Sequence, residues 1–379
     1  MMKKYNLIVV GGGLSGVASA IAAAREGLSV LLIERTGCLG GVMSNNMVYP
    51  FTRYWTGDGE DKKYLSQGIF ADMVKRGKQY DSSSTDEKFK SEYFKFVLDD
   101  MVTEAGVDVL FHASVYNVSN DGRKINSVDI TTMSGVMTIE ADFFVDASGD
   151  GNLFALAGCD YQLGRESDGL CQPMTTCFRI CGVDIEKFRK DRKHLHELYK
   201  KYQTEGKIKN PREDILVFTD VGEGVLHFNT TRIVKYDPAN VFDVSNAEIE
   251  ARRQVYEIVK LLKENSDAFE NSTLISIASE IGVRESRKLK GVHILTKNLV
   301  AFEDAIALGN YDIDIHNPEG SGTSHYYFKS GEYYTIPYRS LLPKEYDNML
   351  VAGRCISTTH EAQASIRIMA ICACLGEAA

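Results

Sequence analysis

The chain has 379 residues, 44% hydrophobic and 25% charged, which is material for about two packed domains at the usual ~100–200 residues each and excludes disordered and collagen-like classes. Forty-three basic against fifty-two acidic residues leave a formal net charge of −9, so no basic surface dominates and nucleic acid is an unlikely partner. The basic start Met1-Met2-Lys3-Lys4 is followed by an apolar run, Leu7–Val10, shorter than the ~7–15-residue core of a signal peptide. Arg25, Arg367 and Glu377 interrupt the most apolar stretches before the ~20 residues of a membrane span, so a cytoplasmic protein without a membrane partner is expected.

Leu7–Val10 reads as a buried strand, Leu14–Arg25 as an alanine-rich helix and Ser29–Ile33 as a second strand ending at Glu34. A β-α-β unit this short requires parallel strands, a right-handed crossover and a sheet covered on both faces. Tyr80–Thr85 reads as a surface loop, and Asp86–Ala105 as a long helix stopping at Gly106. Short β-like runs follow at Val107–His112, Ser114–Val118, Ile125–Thr132 and Val136–Glu140, a meander leading to a separate buried strand, Phe143–Val145. From about Gly164 to Tyr334 the patterning weakens, apart from a charged helix near 184–205 and another predicted to begin at Ser245, where Ser245-x-x-Glu248 fits a capping box. Tyr333–Tyr338 alternates, Met349–Ala352 is a short apolar strand, and Ala362–Ala379 reads as one helix. Its uncapped end gives the expectation that the natural product continues past Ala379.

The eight cysteines sit in a long chain without an export signal and are expected as reduced thiols. Cys171, Cys177 and Cys181 lack the Cys-x-x-Cys spacing of common zinc and redox sites, so no metal site is expected.

Gly11-x-Gly13-x-x-Gly16 lies between a predicted strand and a predicted helix, the context in which the pattern carries meaning. The first glycine allows a tight turn, Gly13 lets backbone amides approach a pyrophosphate, and Gly16 permits close helix–strand packing. Leu14 and Ser15 share that loop, and Glu34 stands where a strand-end carboxylate accepts hydrogen bonds from a ribose. The set points to a dinucleotide, FAD or NAD, since Glu34 disfavours a 2′-phosphate. A second glycine pair, Gly40-Gly41, follows Arg35, and further strand-to-glycine turns occur at Ala147-Ser148-Gly149-Asp150 and at Gly353-Arg354.

On these residues the chain resembles the FAD-dependent oxidoreductases of the glutathione-reductase-like superfold. G-x-G-x-x-G-x-x-x-A-x-x-x-x-x-x-G is matched at Gly11, Gly13, Gly16, Ala20 and Gly27, and the likeness extends to Asp146–Gly158, Ile281–Gly291, Ile336–Pro343 and Asn348–Arg367. The resemblance implies an α/β fold: a Rossmann-like FAD-binding domain with a central parallel sheet and β-meander, residues 1–163 joined to 335–379. An α+β substrate or cap domain would be inserted at 164–334.

It implies FAD with its pyrophosphate on Gly11–Gly16, its ribose on Glu34, its adenine near Val115 and its ribityl chain near Gly353. A helix N-terminus at Gln363-Ala364-Ser365 would then face the flavin C2 carbonyl. Arg354 stands where many members carry an acidic residue, and Ala364-Ser365 replace a glycine-rich turn. A second G-x-G-x-x-G is missing, and Gly320-Ser321-Gly322 reads as a loop, so electrons are expected to be exchanged with a substrate and an external donor or acceptor.

The flavin supplies the hydride chemistry, leaving the protein to hold a small-molecule substrate and move a proton. His360 and Arg339 are the leading catalytic candidates, with Glu361 beside His360 and with Arg165, Arg284, Arg287 and His325 more distant; Arg367 reads as structural. Of the aromatic segment Tyr49, Phe51, Tyr54 and Trp55, packing is the favoured role, and Cys355 is not expected to react. Two other classes compete with the enzyme: a tRNA-modifying flavoprotein, which the charge disfavours, and a non-catalytic binding protein of the same fold, which the complete glycine set disfavours.

Overall fold

The computed structural model describes residues 4–379; Met1, Met2 and Lys3, most of the basic start, lie outside the described residues. Strand β1 (Tyr5–Val10), helix α1 (Leu14–Arg25) and strand β2 (Val30–Ile33) form the β-α-β unit, with the strands parallel in register from Leu7↔Val30 to Val10↔Ile33. All of β2 and all of β1 except Asn6 are buried, as continuous apolar runs require when both faces are covered. Helix α2 (Gly68–Tyr80) and helix α3 (Ser91–Glu104) follow, joined through the expected loop. Phe94, Val97, Leu98 and Met101 form the buried stripe of α3, and Gly106 ends the segment at φ 77°.

Strand β3 (Asp108–Leu110) departs from the expected meander: it runs parallel to β2 at the edge of the main sheet. The helix before it is a crossover, and a crossover returns the chain to the sheet it left. β4 (Ser114–Asp121) and β5 (Lys124–Thr132) make the meander with β6 (Gly135–Asp146), which is one continuous strand where the sequence suggested two. Its first half pairs antiparallel with β5, from Thr132↔Gly135 to Ser127↔Glu140, and its second half runs parallel to β1, from Tyr5↔Ala141 to Val10↔Asp146. No glycine or proline interrupts Glu140-Ala141-Asp142, and the strand changes neighbours without breaking; Phe143, expected in the core, is 57% exposed.

After α4 (Asn152–Leu156), helices α5 (Ile185–Thr204) and α6 (Val241–Asn265) accompany an antiparallel sheet ordered Val217–Phe218, Leu226–Phe228, Phe178–Cys181, Thr273–Ile277. α6 begins at Val241, upstream of the expected capping box. Asn240 Oδ1 accepts from the N–H groups of Phe242 (2.9 Å) and Asp243 (3.3 Å), whereas the Ser245 hydroxyl donates to the Val241 carbonyl inside the helix. The apolar core of this region lies between Phe178 and Phe269, separate from that of the main sheet, which draws on Tyr5–Cys159 and again on Leu289–Leu375.

β7 (Met349–Val351) lies parallel to β6 and completes the order β3-β2-β1-β6-β7. The terminal segment is two helices, α7 (His360–Ile366) and α8 (Met369–Ala378), divided where Ile368 takes extended φ −70°, ψ 150°. α8 packs on α1 at backbone distance: a Cβ on Gly376 would sit 1.9 Å from the Ser15 carbonyl oxygen. Among the described residues no helix is long and apolar enough to cross a membrane.

Candidate functional site

Gly11 leaves β1 at φ 105°, and a Cβ there would lie 2.5 Å from the Ala147 carbonyl oxygen. A Cβ on Gly16 would lie 1.8 Å from the Gly11 carbonyl oxygen, so α1 can approach its strand only with glycine here. At Gly13 the surroundings are open to beyond 4 Å. The Val17 N–H bonds to the Gly13 carbonyl (2.9 Å), which leaves the amides of Leu14, Ser15 and Gly16 as the unpaired first turn of α1. Ser15 Oγ is buried with no hydrogen-bond partner among the described residues.

The second glycine pair docks on this loop, with the Gly40 N–H donating to the Gly12 carbonyl at 2.8 Å. Glu34 is buried; its Oε2 accepts from the Gly12 N–H (2.7 Å) and its Oε1 from the Thr36 N–H and hydroxyl (both 2.7 Å). Asp146, fully buried at the end of β6, accepts from the Ser148 N–H (3.0 Å), the Ser148 hydroxyl (2.7 Å) and the Phe154 N–H (2.9 Å); burial pushes its carboxyl up. Asp150 holds Arg354 at 2.7 Å, and Arg354 Nε is buried without a partner among the described residues.

These segments wall one cavity of about 520 Å³. Gly11, Gly13, Leu14 and Ser15 come from the first loop, and Glu34, Arg35, Gly40 and Gly41 from the second. Ala147, Ser148, Gly149, Asp150, Gly353 and Arg354 come from the ends of β6 and β7. Gly16 supports the loop from behind, and Val115, paired with Ile130 in the meander, is not in the wall.

Five further expected positions lie elsewhere. Gln363, Ala364 and Ser365 are buried within α7, where Gln363 Nε2 donates to the Arg284 carbonyl (2.7 Å) and Ser365 Oγ bonds Tyr334 Oη (2.7 Å). The helix that does start at the wall is α8, through Arg367, Ile368 and Met369. His360 turns inward to Glu285 (2.7 Å), which also pairs with the fully buried Lys288, and is not in the wall. Burial alone would raise Glu285, but His360 and Lys288 hold it below the usual carboxylate range.

Arg339 is held by Asp304 (2.9 Å) over the Phe302 ring and is likewise outside the wall. Arg165 pairs with Asp168 (2.6 Å), and Arg287 reaches the Asp150 carbonyl (3.1 Å). Phe51, Tyr54 and Trp55 pack among Phe70 and Tyr64, and Tyr49 alone of that aromatic set reaches the wall. Cys355 is buried, and burial pushes its thiol well up, away from reactivity.

Arg284 and His325 do reach the wall, and there they meet Tyr311, Asp314, His316 and Arg212, which no sequence signal singled out, and Arg367, expected to be structural. Asp314 accepts from the Tyr311 hydroxyl (2.9 Å) and pairs with Arg367 (3.3 Å) and His316 (3.4 Å). Burial would raise its carboxyl, but His316 and Arg367 hold it far below the ordinary range. Burial, followed by the nearby Arg284 charge, pushes His316 down to about 3. A guanidinium can only donate, so Arg232 Nη2 at 3.1 Å makes His316 Nδ1 the acceptor and leaves the neutral ring's proton on Nε2, facing Asp314. The alternation in Tyr311-Asp-Ile-Asp-Ile-His316 was the available signal; it resembles a strand with a solvent face, but here the polar face borders a cavity.

A family model described as FAD dependent oxidoreductase matches residues 6–379. Digeranylgeranylglycerophospholipid reductase 1 of Methanococcoides burtonii is 25% identical over 199 residues, 49% of this chain and 47% of that protein. Glutathione reductase of Debaryomyces hansenii is 37% identical over 91 residues, 24% of this chain and 16% of that protein. The chain thus spans less than half the length of either relative. Among solved structures, L-proline dehydrogenase from P. horikoshii aligns at 12% identity and a TM-score of 0.48, covering 100% of this chain and 92% of that one.

Proposed function

The chain belongs to the FAD-dependent oxidoreductase family, and from that membership we propose that it transfers a hydride between flavin N5 and a small organic substrate bound in the charged end of the cavity. The observation that carries the reading is the convergence of two helix N-termini, those of α1 and α8, on one cavity with a charged far end. The residues fit FAD: the unpartnered Ser15 hydroxyl and the free first-turn amides of α1 suit a diphosphate, and Gly13 leaves backbone room for it. Glu34 would take the ribose through the lone pairs that Gly12 and Thr36 leave open. The first-turn amides of α8, beginning at Met369, suit negative charge on the flavin, the role expected of Gln363–Ser365.

When bound, FAD supplies the two-electron chemistry. The chain's own residues bind and orient the substrate and exchange one proton with it. Asp314 and Tyr311, hydrogen-bonded at 2.9 Å, and the neutral His316 with its Nε2 proton form the proton-handling group. The separate core between Phe178 and Phe269 supports a cover inserted into the cofactor unit and narrower than residues 164–334, because Leu289–Tyr334 return to the main core.

The test is an anaerobic screen of small organic hydride donors and acceptors against the FAD-loaded chain, followed by its visible absorbance. Bleaching by one donor, or recovery by one acceptor after dithionite, is the expected result. Turnover with one-electron carriers alone would contradict the reading.

A further inference from the structure

At the charged end of the cavity Arg212, Arg284 and Arg367 face Glu213, Asp214 and Asp314. Arg212, Arg367 and Arg232, the last buried behind the wall, all lie within electrostatic reach of Arg284. Three of the four are matched: Arg212 with Asp214 (2.9 Å), Arg232 with Glu213 (3.1 Å) and Arg367 with Asp314 (3.3 Å). Arg284 has no carboxylate within 4.0 Å among the described residues. Its Nη1 donates to the Pro173 carbonyl (2.7 Å) and to Thr175 Oγ1, while Nε and Nη2 have no acceptor among the described residues. The residue is half-buried and lines the cavity, and burial, with Arg367 and Arg212 beside it, pushes its guanidinium down to about 9. A charge partly withdrawn from water is costly unless something pairs with it.

We infer that the substrate is an organic carboxylate and that Arg284 is the residue that anchors its carboxylate group; this rests on the proposed function. The anchor is held ready. The Arg284 carbonyl accepts from Gln363 Nε2 (2.7 Å), Gln363 is held in turn by Gln172 (3.1 Å), and Thr175 Oγ1 is tied to the Thr231 carbonyl (3.1 Å). A guanidinium with two free donors matches the two oxygens of a carboxylate in a planar fork. The unmatched Arg284 charge suits one negative charge; a phosphate monoester, at about −1.5 to −2, would add repulsion against Asp314, Glu213 and Asp214. A cofactor diphosphate would be met by the glycine loop, to which Arg284 does not belong.

The experiment titrates the FAD-loaded full chain with succinate, benzoate and phenylacetate, their primary amides, and inorganic phosphate. Calorimetry and the shift of the flavin's visible bands provide the readouts. At least one carboxylate is expected to bind, with its amide at least tenfold weaker. Arg284→Gln should weaken that carboxylate about 30- to 100-fold while keeping FAD, and Arg284→Lys, which retains charge but not the fork, should fall between.

Carboxylate binding unchanged in both variants, phosphate binding in place of every carboxylate, or no carboxylate binding to the FAD-loaded chain would overturn the inference. Loss of FAD from both folded variants would also overturn it and make Arg284 a cofactor contact. A wild-type chain that takes up no FAD would instead overturn the proposed function itself.

Discussion

Position 16 tolerates no side chain without moving α1 away from β1, because a Cβ there meets the Gly11 carbonyl oxygen at 1.8 Å. Gly16→Ala should therefore lower thermal stability and abolish FAD retention together, as read by a melting curve and by flavin content after gel filtration. Ser15→Ala should leave the melting curve of the cofactor-free chain in place and weaken FAD by about five- to tenfold, the value of one hydrogen bond.

The buried histidines set the acid limit. His227 and His316 are each pushed down to about 3, chiefly by burial, from an ordinary value of 6.5. The unfolded chain takes up these protons below pH 6.5 and the folded chain does not, so stability is full above that pH and declines from there toward 3. Urea unfolding should show a loss of roughly 2 kcal/mol per histidine between pH 7.5 and 5; an unchanged midpoint would contradict it. The glycines were legible in sequence because a tight turn is a local demand. Arg284 and Asp314 were visible only as residue types, since what faces them is decided by chain segments far away in sequence.

At the scale of elements, α6 and α8 show where local signals mislead. Ser245-x-x-Glu248 fits a capping pattern, yet Asn240 lies upstream and caps first, and Glu248 serves Arg252 (2.9 Å) and the Ile281 N–H (2.6 Å) instead. Asn240→Ala should cost about 1 kcal/mol in denaturant unfolding, and Ser245→Ala less than about 0.5 kcal/mol. If the two costs were reversed, the helix would start at Ser245 after all. The division between α7 and α8 has no glycine or proline to announce it, so Ala362–Ala379 reads as one helix. That break matters for function, because it moves the helix N-terminus at the cavity from Gln363 to Met369. The β-α-β unit, by contrast, follows directly from apolar runs and an alanine-rich helix of the right length.

For the whole molecule, the parallel sheet, the meander and the segment around α5 and α6 were all foreshadowed by patterning, but their division was not. Residues 289–334 carry short strands with few apolar repeats, and nothing local tells which core they join; the long-range packing of Leu289, Leu295, Ala307 and Tyr334 decides it. His360 shows the same limit, since the segment that bears it was placed near the site while the side chain turns to Glu285.

The cavity bounded by the glycine loop and α8 is the site proposed to hold FAD. That occupancy is tested most directly by the visible absorption spectrum of the purified full chain, incubated with FAD and gel-filtered, before and after denaturation. The two visible bands of oxidised flavin are expected at close to one per chain, released on denaturation and lost in Gly16→Ala. A colourless wild-type chain that takes up no added FAD would contradict that occupancy.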